Sequence, residues 1–313
     1  ELARRIKTLI ACRISGDQLD PTTREWLETL PKAWLNKLVK AGLLSPKSAA
    51  FTQPLLDHLE DFRTALYAKG SKANHVELVY SRAKKVIEGC QYHGWTDITA
   101  SGVQSYLHGL RQGKKGISAQ TFNFYLQAIK QFCKWMHRDG RAGASPLAHL
   151  TGLHVRTDRR HDRRALSVDE VNALLTAAYH GPTIESQRAF KGHRWSMTGP
   201  ERSLLYRLAV ETGLRSSELR SLTTASFDLI SEQPTVTVEA AYSKRKRRDV
   251  QPLRPQTAMM LREHLWNAAP AKPVFDMPPV KNMTRLLLKP DLEQAGIAYK
   301  DDAGRFADFH ALR

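Results

Sequence analysis

The sequence LLYRLAVETGLRSSEL, residues 204–219, decides how the chain is interpreted. Its first half has the pattern of an apolar helix that stops at Gly213, a residue suited to the left-handed backbone that closes a helix. Arg215 follows on the turn, before a new helix that we expect Ser216 or Ser217 to cap. The segment predicts an arginine on a rigid corner. Taken alone, it is equally consistent with an arginine that hydrogen-bonds the last carbonyl groups of the helix.

Two further segments are chemically distinctive. AYSKRKRRDVQPL, residues 241–253, places a run of five basic residues at a turn between two expected strands, near 235–239 and 248–253. Such a run is usually a solvated, phosphate-seeking turn. In DFHALR, residues 308–313, His310 and Arg313 stand three apart, so on a helix they share one face and can converge on one anion.

In this order, the three segments resemble the catalytic domain of the tyrosine recombinases of the phage-integrase type. TGLRSSEL, residues 212–219, is very like the segment that carries the family's first catalytic arginine. The basic turn resembles the family's lysine-bearing β-hairpin, and the last segment resembles its His-x-x-Arg motif. The catalytic residues that the resemblance implies are Arg215, Lys244, His310 and Arg313, with Lys246 in reserve and Glu218 in support of the corner, although Glu218 is equally consistent with an exposed helix residue.

The resemblance also implies a mechanism. Two guanidinium groups can stabilise the charge that develops on a phosphodiester without a metal, so we expect neither a metal nor a cofactor. His310 would donate a hydrogen bond or help to move a proton, and Lys244 would protonate the leaving 5′ oxygen. In the family a tyrosine attacks and forms a 3′-phosphotyrosyl link. We expect that tyrosine beyond Arg313, and expect Tyr206, Tyr242 and Tyr299 to be core or surface residues.

Composition agrees with a nucleic-acid partner. The 313 residues include 48 Lys and Arg against 31 Asp and Glu, a net charge of +17. A field of this sign attracts polyanions, although a generic basic protein has the same charge. Cys12, Cys90 and Cys133 have neither disulfide nor zinc spacing, so we expect a reduced, cytoplasmic protein. With DNA as the expected partner, we expect it to be associated with the nucleoid. No apolar run is long enough for a membrane span or a signal peptide.

We predict a mainly α fold with a small β-sheet, in four parts. An N-terminal helical extension covers 1–50, with a linker near 44–48, and a helical (SAM-like) core-binding domain covers 52–150. A basic linker follows at 151–165, and a mixed α/β catalytic domain covers 166–313. The core-binding helices are expected at 54–68, 74–93, 100–111 and 118–138, closed or capped by Gly70, Gly94, Thr99 and Ser118. In the family the two domains form a C-shaped clamp on DNA.

The expected partner is double-stranded DNA, bound by a homo-oligomer, a tetramer in the family. Arginines of the linker would lie along the phosphate backbone, although a solvated linker is equally consistent with their sequence. One helix face and the hairpin would add further cations. The candidate DNA-binding residues are Arg156, Arg159, Arg160, Arg163, Arg164, Lys130, Lys134, Arg138, Arg245 and Arg247.

Two other functions remain open at this point. The first is a DNA-binding or regulatory protein that has the recombinase fold and does not cut. The second is a helical DNA- or RNA-binding protein unrelated to recombinases, for which the three segments would be coincidences.

Overall fold

The computed structural model describes residues 2–15, 19–44, 54–113, 116–142, 144–187, 189, 192–266 and 272–313. It divides into two compact units, residues 1–160 and 161–313, and the division falls within the segment predicted as a basic linker. Among the described residues, no helix combines the length and apolarity that a membrane crossing needs. The linker predicted near 44–48 lies almost wholly outside the described residues.

Three short helices open the first unit: α1 (Leu2–Ser15), α2 (Pro21–Glu28) and α3 (Lys32–Lys40). Helix α2 begins at a proline, which has no N–H to leave unsatisfied there. The Asp20 carboxylate caps it by accepting the Thr23 N–H at 3.0 Å. The helices enclose a small cluster of buried leucines, namely Leu9, Leu27, Leu35, Leu38 and Leu44.

Four longer helices follow among the described residues of this unit, and the sequence pattern predicted four. They are α4 (Leu55–Ala68), α5 (Ala73–Gly89), α6 (Ala100–Gln112) and α7 (Ala119–Arg138). Thr99 and Ser118 cap α6 and α7 through their hydroxyl oxygens. The apolar face of α7 is buried against the other helices, because its apolar residues recur at helical spacing.

The end of α5 differs from the prediction. The helix stops at Gly89 instead of His93, and the residue with a left-handed backbone is Gln91, at φ 58°, while Gly94 has φ −115°. The reason is Asp97, whose carboxylate accepts the N–H groups of His93 and Gly94 at 2.7 and 2.8 Å. These bonds hold both residues in the start of the next 3-10 turn, so neither can close α5.

The second unit is helical with two small sheets. Its helices are α8 (Val168–His180), α9 (Gly199–Thr212), α10 (Ser216–Leu219), α11 (Pro255–Leu265) and α12 (Lys289–Gln294). A π-helical turn, Thr284–Leu288, leads into α12, and a 3-10 turn, Phe309–Leu312, comes last. The predicted capping box at the start of α8 is present, since Ser167 and Glu170 each accept the other's backbone N–H.

The strands of this unit are short. β1 (Ile184–Glu185) pairs with β2 (Ser196–Met197), and β3 (Phe227–Asp228), β4 (Thr235–Val238) and β5 (Asp249–Pro252) form an antiparallel sheet in that order. Alternate residues of β4 are buried, so one face of the sheet packs on the core. The β4–β5 hairpin occupies the predicted place, and its connection, residues 239–248, carries the basic run.

Candidate active site

The predicted arginine corner is present. Helix α9 ends at Gly213, whose φ of 63° is left-handed, and Arg215 stands in an extended conformation directly before α10. The predicted serine cap is wrong. Arg215 is itself the N-cap residue of α10, and the Glu218 carboxylate accepts its backbone N–H at 2.8 Å. Glu218, at the third helical position, satisfies the backbone N–H of the N-cap residue, whereas a serine N-cap would accept an N–H from inside the helix.

Glu218 holds the corner from inside the protein. It is buried, with 4% of its surface exposed, which excludes the exposed-residue interpretation. Its Oε1 accepts the Arg215 guanidinium at 3.0 Å and lies 3.5 Å from the backbone nitrogen of Lys244. Burial raises the pKa of Glu218, but hydrogen bonds from Arg215 and Lys244 outweigh it and lower the pKa below its ordinary value. The carboxylate is thus ionised, and it joins the corner to the hairpin.

In the connection between β4 and β5, backbone hydrogen bonds hold the chain on either side of Lys244, while the Lys244 side chain is exposed. The buried Ser243 donates its N–H to Glu239 O at 3.1 Å, and its own carbonyl accepts the Lys246 N–H at 3.1 Å. Lys246 has a left-handed backbone, at φ 53°. Lys244 and Lys246 are both exposed, but the backbone N–H of Lys244 faces Glu218 while that of Lys246 donates to Ser243 O.

The predicted His-x-x-Arg turn is a 3-10 turn, with Asp308 as its N-cap. The Phe309 N–H donates to Thr284 Oγ1 at 3.0 Å, which ties the turn to the π-helical segment. Arg313 donates from Nε to Gly213 O at 2.6 Å. The arginine that bonds the last carbonyl of α9 is therefore Arg313, while Arg215 pairs with Glu218.

The charges of Arg215 and Arg313 both act on the pKa of His310. Burial lowers its pKa, Asp308 acts in the opposite direction, and Arg163, Arg313 and Arg215 lower it further, so that the pKa of His310 is below its ordinary value. The corner and the terminal turn thus bring three of the four predicted catalytic residues together. Lys244 joins them through the shared carboxylate of Glu218.

Several arginines of the predicted basic linker are paired within the protein, so the linker is not simply solvated. Arg160 pairs with Asp158 and donates to the Ile117 carbonyl, Arg163 pairs with Asp308, and Arg164 forms two 2.8 Å hydrogen bonds with Glu170. The Arg164 side chain is only 11% exposed. Two of the four partners, Ile117 and Asp308, are distant in the chain, so the sequence pattern could not show them, while Asp158 and Glu170 are local. Arg156 and Arg159 are exposed.

The remaining DNA-binding candidates also separate into two groups. Lys130 does not point outward as predicted, because its ammonium donates to the carbonyl oxygens of Ala148 and Leu150. The exposed candidates are Lys134, Arg138, Arg245 and Arg247.

Sequence reasoning missed a buried ion pair beneath the site. Arg202 is fully buried and donates to both oxygens of Asp291, at 2.9 and 3.0 Å. The Tyr206 hydroxyl donates to the same carboxylate at 2.7 Å, and its ring lies against Phe309 with the centroids 6.2 Å apart. The spacing of Arg202 and Tyr206, one helical turn, was the available signal. The other tyrosines named above differ in burial, since Tyr242 is exposed and Tyr299 is half-buried.

The residues that the structure describes contain no group of three or more His, Cys, Asp or Glu side chains arranged to hold a metal ion.

Comparison with known sequences gives a match to a family model, within the second unit, and a match to a relative. Residues 164–313 match the family model described as the phage integrase family. Over 137 residues the chain is 26% identical to the tyrosine recombinase XerC of Yersinia pestis. That alignment covers 44% of this chain and 39% of XerC, so it spans well under half of the relative.

Solved structures share the fold across more of the chain. A lambda integrase dimer bound to a COC′ core site superposes with a TM-score of 0.60 at 17% identity, over 83% of this chain and 67% of the other. A lambda integrase tetramer bound to a Holliday junction gives 0.59 at 19% identity, over 83% and 68%. The XerH recombinase bound to its difH substrate gives 0.54 at 14% identity, over 98% and 82%.

Proposed function

We propose, from the premise that residues 164–313 belong to the phage integrase family of tyrosine recombinases, that this protein performs site-specific DNA recombination by metal-independent transesterification. The observation that carries the proposal is the bond between Arg313 Nε and Gly213 O. It fixes the second arginine on the corner that holds the first. Both guanidinium groups are thereby held near His310, whose pKa each of them lowers, and two such groups suit the non-bridging oxygens of a phosphodiester.

The proposed roles follow from the chemistry of each group. Arg215 and Arg313 bind the non-bridging oxygens of the scissile phosphate and stabilise the charge that develops there. Their rigid attachment means that little reorganisation is needed during the reaction. His310 donates a hydrogen bond to the same phosphate or accepts the proton of the attacking hydroxyl, because its lowered pKa leaves the ring mainly neutral at pH 7, with one N–H and one unprotonated nitrogen.

Lys244 acts at the leaving group. Its side chain is exposed, so the ammonium can reach outward, while the backbone N–H of Lys244 stays next to Glu218. In the proposed reaction this ammonium gives a proton to the 5′ oxygen as the P–O bond breaks.

The nucleophile in the family is a tyrosine, which forms a 3′-phosphotyrosyl link. Tyr206 does not fit that role. It is fully buried, it donates to Asp291, and burial together with the Asp291 charge raises its pKa well above its ordinary value. We therefore assign activation of the phosphate, and not the attack on it, to the residues described above.

Double-stranded DNA is the proposed partner, and a homo-tetramer is the proposed assembly on it. The net charge of +17 supports the first proposal, and the lambda integrase dimers and tetramers of the same fold support the second. The exposed cations Arg156, Arg159, Lys134, Arg138, Arg245 and Arg247 are the proposed phosphate contacts. Each such contact contributes to affinity in a salt-dependent way.

The test is a cleavage assay with the complete protein on DNA that carries its own recombination site. A covalent protein–DNA adduct is expected on a denaturing gel, and Arg215→Ala or Arg313→Ala should abolish it while most of the DNA binding remains. Arg262→Ala is the matched control, because Arg262 bonds the carbonyl of Leu229, outside the site.

Two results would contradict the proposal in different ways. An adduct that survives Arg215→Ala would remove the catalytic assignment. Tight, site-dependent binding without any adduct would favour the non-cutting, regulatory function that the same fold can serve.

A further inference from the structure

A buried carboxylate lies beside His310. Asp308 is 7% exposed and caps the 3-10 turn that carries the histidine. Its Oδ1 accepts the His310 N–H at 3.0 Å. Aspartate is among the strongest N-cap residues, so this contact alone explains why the turn begins here. It does not explain the two other partners of the carboxylate.

Those partners come from the segment before α8, some 145 residues earlier in the chain. Arg163 donates from Nε to Oδ1 and Oδ2 at 2.8 and 2.7 Å, and His161 Nε2 lies 2.9 Å from Oδ2. The His161 ring stacks on Phe306, with the centroids 4.4 Å apart and an interplanar angle of 14°. The Phe306 N–H also donates to Asp162 O at 2.7 Å. The two contacts from Arg163 and the one from His161 together fix the orientation of the Asp308 carboxylate.

Charge around His310 is strongly unbalanced without this group. Arg163, Arg313 and Arg215 act on the ring, and Asp308 is the negative group that opposes them. Burial raises the pKa of Asp308, but the hydrogen bonds from His161 and Arg163 outweigh it and keep the pKa below its ordinary value. Burial raises the pKa of the nearby Tyr299, and the charge of Asp308 raises it further. Asp308 therefore carries a full charge near neutral pH.

We propose that Asp308 is a positioning residue for His310, which fixes the backbone of the histidine and offsets the charge of the surrounding arginines, and that Arg163 and His161 hold the carboxylate in place. Its importance for catalysis rests on the proposed function, but the electrostatic relationship can be measured in this chain alone. A neutral residue in its place leaves three cations around His310 and favours an uncharged ring down to lower pH. A structural cap without this role would have no such effect.

The experiment is an NMR titration of the histidine ring protons in this chain, with the His310 signal identified by its loss in His310→Gln. Asp308→Asn keeps an equally good N-cap and removes the charge. We expect the titration midpoint of His310 to move to lower pH in Asp308→Asn. We expect it to move to higher pH in Arg163→Gln, because one of the opposing cations is lost.

The test is decisive because the two variants should shift the titration midpoint of His310 in opposite directions. Arg163 is 48% exposed in its side chain, so its replacement should leave the unit folded even if Asp308→Asn does not, and the signals of the other histidines report on folding. An unchanged midpoint in a folded Asp308→Asn, or a downward shift in Arg163→Gln, would overturn the proposal. If both shifts occur but the complete protein forms no covalent adduct, the proposed function fails and the assignment of Asp308 stands.

Discussion

Arg313 donates a hydrogen bond to the carbonyl oxygen of Gly213, a residue 100 positions earlier in the chain, at 2.6 Å. Gly213 also supplies the left-handed turn that places Arg215 at the start of α10. One glycine thus positions both arginines of the candidate site, the first through its backbone angles and the second through its carbonyl.

Replacing Gly213 should therefore strain the corner. In Gly213→Ala the new Cβ would meet no atom within 4 Å, so the whole cost comes from the backbone angle of φ 63°. We expect a loss of about 1 to 2 kcal/mol in the free energy of unfolding. Urea denaturation measures it. Gly213→Asn is the matched variant and should lose less, because asparagine tolerates this conformation better; equal losses for the two would show that the backbone explanation is wrong.

The assignment of Lys244 as the proton donor can be tested on the leaving group. Lys244→Ala should slow cleavage by the complete protein about 10²- to 10⁴-fold on ordinary DNA, the range for a lost general acid. DNA with sulfur in place of the 5′ bridging oxygen needs no proton for departure, so it should restore the rate. The rate of adduct formation measures both effects.

Lys246→Ala is the control for that experiment, since Lys246 lies on the same connection and is equally exposed. It should cleave both kinds of DNA at near the normal rate. A large defect in Lys246→Ala that sulfur corrects, with none in Lys244→Ala, would transfer the role to Lys246.

The buried pair beneath the site should be sensitive to the loss of one partner. Asp291→Asn leaves the fully buried Arg202 without a counter-charge, which should cost about 3 to 5 kcal/mol of the free energy of unfolding. Glu293→Gln, on the same helix, is the control. The Glu293 side chain is 67% exposed and 3.8 Å from Lys289, so we expect a change below about 1 kcal/mol. Similar losses in chemical denaturation would contradict the distinction.

Stability should rise with pH through the titration range of His310. Its pKa is lowered in the folded protein, so the unfolded chain binds the proton more readily, and protonation favours unfolding. The contribution of His310 to stability is complete above the ordinary pKa and is lost as the pH falls below it. His310→Gln should therefore flatten the pH dependence of the free energy of unfolding between about pH 5 and pH 7.5. A slope as steep as that of the unchanged protein would exclude this contribution.

Local patterns predicted much of the fold and the main site residues. The α8 capping box, the left-handed Gly213 and the apolar face of α7 depend on residues within a few positions of one another, which a sequence displays directly. Errors arose where a distant or unexpected side chain decided the outcome. Asp97 changed the end of α5, and the N-cap residue of α10 is Arg215, whose N–H Glu218 accepts, and not a serine.

The network around the site could not be predicted in the same way. Arg202 and Asp291 are 89 positions apart, and Arg163 and Asp308 are 145 positions apart. Their pairing depends on how α9, α12 and the terminal turn pack, and no local spacing encodes that. The sequence of the basic linker was therefore consistent with a solvated segment, although Arg163 pairs with Asp308 and Arg164 pairs with Glu170.

Both site arginines are attached to the protein through part of a guanidinium, Arg215 by Nη1 to Glu218 and Arg313 by Nε to Gly213. A guanidinium has five N–H donors in a planar fork, so one edge can serve as an anchor while the other edge binds a ligand. An ammonium concentrates its donors on one atom. A lysine at either position could divide its donors between the anchor and a phosphate, but it has no second edge of parallel N–H groups for a bidentate contact. In this architecture one side chain therefore supplies both the rigidity of the site and the recognition of its ligand.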